Sequence, residues 1–163
     1  METSVLQVVS RISQTYFKNM FGLDVKPVKE NAFKMSDRPA FKSELIAFIG
    51  LAGQHHQGQI VLGLSKKFAE KMVSRFSSNV EVENREEFVM SAIGEFLNSL
   101  GGRIGSEESL AKAYPELSQT LPIINDTTEE GSVYFTKSDG GTVQFSCDGE
   151  TIYAYISLKA FPA

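Results

Sequence analysis

The sequence predicts an α+β fold, an antiparallel sheet with helices packed on it and one long helix exposed on one face. Three observations predict it. Apolar residues recur at helical spacing in three stretches. Short apolar or alternating runs, bounded by Gly and Asp turns, lie between and after them. The strict strand–helix alternation of a doubly wound fold is missing. No low-complexity tail or linker divides the chain, so residues 1–163 read as a single domain.

Residues 4–21 carry Val5, Val9, Ile12, Tyr16 and Met20 at helical spacing, and Gly22 is the expected stop. Residues 24–40 contain Pro27 and Pro39 and read as loop or edge strand. FKSELIAFIGLAG and GQIVLGLS form a strand pair around the turn-like QHHQ. Ser65 is placed to cap a helix over KKFAEKMVSRF. Asn84-Arg85-Glu86-Glu87 has capping-box spacing, so a long helix should begin near Arg85 and run to about residue 102. SEESLAKAY reads as a further helical piece and PELSQTLPIINDTTEEG as loop. Three strand-like segments close the chain, SVYFT, TVQFS and TIYAYISLK, with turns at Asp139-Gly140-Gly141 and Asp148-Gly149. In the last, Ile152, Ala154, Ile156 and Leu158 share one face, and Tyr153, Tyr155 and Ser157 the other.

Composition excludes several function classes. A net charge of -4 and a pI near 5.3 argue against a nucleic-acid partner, which calls for a basic face. No apolar run is long enough to span a bilayer, so no membrane role is expected. The single cysteine, Cys147, allows no internal disulfide and fits a cytoplasmic protein. It falls in a strand pattern and reads as a half-buried thiol. CxxC, HExxH, P-loop and GxGxxG patterns are absent from the sequence. His55-His56 read as turn residues rather than metal ligands, Glu107-Glu108 and Glu129-Glu130 as helix-start and loop charges, and Lys66-Lys67 as solvated. Phe17, Phe21, Phe33, Phe41 and Phe48 read as core or interface aromatics.

The long helix is the informative element. At 100° per residue, Val89, Met90, Ile93, Phe96, Leu97 and Leu100 fall on a core face. Glu87, Ser91, Gly94, Glu95, Asn98 and Gly102 fall opposite. Glu95 and Asn98, three residues apart, are surface neighbours. Gly94 is a costly choice inside a helix, by about 1 kcal/mol against alanine. Its expected return is a low ridge, with Gly102, over which a partner's backbone could approach the two polar side chains.

Ser91-x3-Glu95-x2-Asn98, with Gly94 before the Glu and Gly102 four residues after the Asn, resembles the signature of the CheC/CheX/FliY family of response-regulator phosphatases. That signature continues to a proline, here Pro122, one residue beyond the usual gap. The likeness extends over roughly residues 40–160, and the single copy of the motif looks like the CheX branch. The resemblance implies a phosphatase that removes the phosphoryl group from the aspartate of a CheY-type receiver domain. Asn98 matches the residue that orients the attacking water, and Glu95 the one that pairs with the receiver's lysine. Ser91, Gly94 and Gly102 would be contact positions. No cofactor of the chain's own is implied, Mg²⁺ being expected on the receiver. The resemblance also suggests a homodimer, with the exposed edge of the C-terminal hairpin as candidate seam. Two other readings stay open: a non-catalytic binding or assembly module that recognises a receiver with the same helix, and a stand-alone dimer with a small-molecule site.

Overall fold

In a computed structural model that describes residues 3–34, 42–76, 84–127 and 139–161, seven strands form one antiparallel sheet with the helices layered on one face. The elements run α1 (Thr3–Phe21), β1 (Lys26–Phe33), β2 (Leu45–Ala52), β3 (His56–Leu64), α2 (Lys66–Val73), α3 (Arg85–Gly105), α4 (Glu108–Ala111), β4 (Ser118–Gln119), β5 (Ile123–Asp126), β6 (Gly140–Cys147) and β7 (Glu150–Ala160). The sheet order is β1-β6-β7-β3-β2-β4, and β5 also pairs with β2. This is the α+β architecture that the sequence predicts.

Alternation explains the sheet. Ile49 and Leu51 of β2, Ile60 and Leu62 of β3, Val143 and Phe145 of β6, and Ile152, Ala154 and Ile156 of β7 all turn to the helices and are buried. Burying each large apolar side chain fully contributes about 1.5–3 kcal/mol. The opposite face holds a smaller cluster of Ile46, Val61 and Tyr155, with Phe33, Phe48 and Tyr153 against it. The strands of the sheet's centre are therefore apolar on both sides, which is why β2 and β3 read as nearly continuous runs.

Turns and caps follow local chemistry. Gly22 takes φ +69° and stops α1. Asp148 and Gly149, both at positive φ, turn β6 into β7, whose flanking residues Cys147 and Glu150 pair directly. Ser65 caps α2 by accepting from the Phe68 amide at 3.0 Å, and its hydroxyl donates to Glu150 at 2.6 Å. That bond, and then the ammonium of Lys67, hold the Glu150 carboxyl below its ordinary range. Cys147 is buried, and desolvation pushes its thiol up.

Several expectations change. Asn84 does precede the first residue of α3, but its side chain makes no capping hydrogen bond there. Helix α3 runs on to Gly105, because Gly101, Gly102 and Gly105 are tolerated inside it by a close crossing described below. Within the stretch 115–127, two short strands, β4 and β5, line up along β2 where a loop was expected. Gly140 and Gly141 lie inside β6 rather than in a turn; a Cβ at 141 would stand 2.4 Å from Leu6 of α1. Lys66 and Lys67 are exposed but paired, with Asp126 at 2.8 Å and Glu150 at 3.0 Å. The C-terminal hairpin offers no free edge, since β6 pairs with β1 and β7 with β3. Pro39, Phe41, SVYFT and Glu129-Glu130 lie outside the described residues.

Candidate functional site

Helix α3 is held from three sides. Its core stripe of Val89, Ile93, Phe96, Leu97, Leu100 and Ile104 is buried against the sheet, while Met90, expected with them, is half-exposed at its margin. On one flank stands α1: the rings of Phe17 and Phe96 stack with centroids 4.2 Å apart, and Phe21 lies 5.9 Å from Phe96.

On the other flank runs the chain's own segment 117–124, and here α3 presents glycines. A Cβ at Gly94 would meet Pro122 Cγ at 3.6 Å and Ile124 Cδ1 at 3.8 Å. At Gly101 it would meet Gln119 and Ile49 at 3.5–3.6 Å, and at Gly102 the Gln119 amide nitrogen at 3.2 Å. At Gly105 it would stand 2.8 Å from the carbonyl oxygen of Leu117.

This corrects the reading of the glycines. Gly94 is buried, not raised on an open ridge, and a leucine there would strike Pro122 and Ile124 of the same chain. Gly102 is half-covered by Gln119. The Pro122 offset still delivers the proline to the motif helix, one turn before Asn98.

Between the two flanks α3 leaves a narrow open strip. Ser91 and Glu95 on it are exposed and Asn98 is half-buried. Glu95 and Asn98 stand about 4.5 Å apart along the helix axis. Among the described residues, neither side chain has a hydrogen-bond or ion-pair partner. The strip thus offers a carboxylate for a cation and, one turn on, an amide that can donate and accept at once.

Gln119 is the residue that sequence reasoning missed. Its side-chain Nε2 donates to the backbone carbonyl of Asn98 at 3.2 Å. The only trace of it in the sequence is the glycine spacing 94, 101, 105, which marks one side of a helix as crossed closely.

The remaining candidates do not join this strip. His55 lies in the β2–β3 turn; His56 opens β3 and sets its ring edge-on to Tyr114. Glu107 accepts an ion pair from Arg11 of α1 at 3.0 Å and another from Arg103 at 3.2 Å, which ties the end of α3 to α1. Among the described residues no three His, Cys, Asp or Glu side chains gather to hold a metal. No helix among them is long and apolar enough to cross a membrane. A cavity of about 380 Å³ lies between α2, the start of α3 and β5, and four of the five charged side chains that line it pair with each other, Lys66 with Asp126 and Arg85 with Glu70, with Glu86 beside them.

No curated protein matches the sequence. Solved structures share the fold at low identity. The chemotaxis protein CheX of Vibrio vulnificus is 15% identical, with a TM-score of 0.79 over 96% of this chain and 100% of that one. CheX of Desulfovibrio desulfuricans is 16% identical, with a TM-score of 0.78 over 96% and 99%. A complex of CheX with CheY, BeF3 and Mg²⁺ from Borrelia burgdorferi is matched at 19% identity and a TM-score of 0.74, over 95% and 97%. Residues 45–146, from the first residue of β2 through the motif helix and almost to the end of β6, match the family described as chemotaxis phosphatase CheX, and the chain belongs to that family.

Proposed function

We propose that the protein hydrolyses the aspartyl phosphate of a CheY-type receiver domain. The observation that carries the reading is the strip on α3, where Glu95 and Asn98 stand side by side without partners among the described residues while both flanks of the helix are fixed. The Borrelia CheX captured with CheY, BeF3 and Mg²⁺ supports a receiver as partner.

An acyl phosphate is already reactive, and the receiver brings Mg²⁺ and a lysine. The chain's own part is then to dock and to orient. Glu95 takes the receiver's ammonium and sets the register. Asn98 hydrogen-bonds a water opposite the aspartyl oxygen and, being uncharged, does not repel the phosphoryl oxygens. The water oxygen bonds to phosphorus as the bond to the aspartyl oxygen breaks, leaving carboxylate and inorganic phosphate. The protein needs no cofactor of its own in this scheme and works in the cytoplasm. It acts as a homodimer, and among the described residues the sheet edges at β1 and β4–β5 replace the hairpin as candidate seam.

The test is phosphate release from a CheY-type receiver of the same cell, with Mg²⁺ and a small phosphodonor. Wild type should speed release. Asn98→Ala should lose on the order of a hundredfold in kcat, and Glu95→Ala should raise the receiver concentration needed. Binding to the BeF3-activated receiver without faster release would leave a recognition module instead of an enzyme.

A further inference from the structure

Asn98 carries no side-chain hydrogen bond among the described residues, yet an orienting amide must keep one direction. The crossing segment reaches the same turn of the helix. Residues on either side of Gln119 are tied to β2: Ser118 Oγ donates to the Ala52 carbonyl at 3.0 Å, and Gly50 and Thr120 exchange backbone and hydroxyl bonds at 2.9 Å. With its neighbours turned to β2, Gln119 extends the other way, onto α3. Its amide lies over Gly102 and reaches the Asn98 carbonyl. Gly102 is the notch that admits it, because a Cβ there would stand 3.2 Å from Nε2 and 3.5 Å from Oε1. Pro122 sits on Gly94, one turn before Asn98. The segment therefore grips α3 about one turn to each side of Asn98, and the stretch between the two grips runs past it.

We propose that Gln119 is a positioning residue for Asn98: its side-chain amide, seated in the Gly102 notch, clamps the turn that carries Asn98 and keeps the Asn98 amide aimed. The proposal rests on the phosphatase reading for its effect on rate, but the clamp itself is a property of the chain alone.

The experiment uses the full chain. Gln119→Leu removes the donor at similar bulk, and Gln119→Glu keeps the shape while replacing the donor with an acceptor. Gly102→Ala fills the notch and pushes the Gln119 amide off its seat without changing Gln119 itself. Gln119 is exposed, so the melting temperature of its variants should match wild type. Each variant should lose about tenfold in kcat with KM for the phosphorylated receiver unchanged, as a displaced orienting group does. In an Asn98→Ala background the same substitutions should cost nothing further. The relaxation of the ¹⁵N-labelled Asn98 side-chain amide in the free protein should show faster, wider motion in Gln119→Leu than in wild type.

A wild-type kcat in Gln119→Leu with an equally ordered Asn98 amide overturns the proposal. So does a tenfold loss that persists in the Asn98→Ala background, because Gln119 would then be touching the receiver itself. If wild type accelerates nothing, the phosphatase reading fails, and the amide relaxation alone decides the clamp: a loosened Asn98 supports it, and an unchanged one overturns it.

Discussion

On its α1 side, helix α3 meets its neighbour through large rings: Phe96 packs against both Phe17 and Phe21. On its other side it meets residues 117–124 through Gly94, Gly101, Gly102 and Gly105, four places where a side chain has been removed. The first contact is made by filled volume, which drives association wherever apolar area leaves water. The second is made by proximity, with backbone, proline and one amide lying almost on the helix surface. Between them the open strip is only as wide as the glycine side permits. Shape at this site is thus set as much by what α3 lacks as by the residues that would act.

Three substitutions separate the two flanks. The largest effect is expected at Phe96→Ala, where a fully buried ring packed against α1 is lost; urea unfolding should show about 3–5 kcal/mol of destabilisation. On the glycine flank, Gly105→Ala should cost roughly 1–3 kcal/mol, because its Cβ meets the backbone oxygen of Leu117, which cannot swing away as a flexible side chain would. Its hydrogen exchange should rise at the amides of β4 and Thr120 while the α1 contacts stay protected. The smallest change, opposite in sign, is expected at Gly94→Ala. There the nearest atoms stand at ordinary contact distance, and the helix gains up to about 1 kcal/mol of propensity. Only a cost at Gly94→Ala larger than at Gly105→Ala would make the crossing tighter at Gly94 than at Gly105.

The same contrast decides what was legible in the sequence. A flank built of side chains writes itself as periodicity. Val89, Ile93, Phe96, Leu97 and Leu100 mark the core face of α3, and Ile152, Ala154, Ile156 and Leu158 that of β7; all are buried as expected. The positive-φ turn at Asp148-Gly149 and the Ser65 cap are equally local and equally readable. A flank built of absences writes only glycine, which suits a turn, a low ridge or a close crossing alike. Gly94 therefore suggested access for a partner, and Gly140-Gly141 a turn, where the structure shows contact with the chain's own Pro122 and Leu6. Glu95 and Asn98 could be named because their spacing resembles a family motif. Gln119 could not, since its partner lies 21 residues earlier and the bond ends on a backbone carbonyl, which no side-chain pattern records.

The place of β7 in the sheet has a consequence for how the molecule comes to exist. β7 joins β6 to β3, and without it the sheet falls into two pieces, β1–β6 on one side and β3–β2 with β4 and β5 on the other. It is also the latest in sequence of the described strands. Until it is made, the β1–β6 pair has nothing to join, and the β2–β3 hairpin keeps the β3 edge that β7 covers unpaired. The β3–β7 pairing joins residues about a hundred positions apart, and so non-local a closure slows folding and leaves the β3 edge open to aggregation meanwhile.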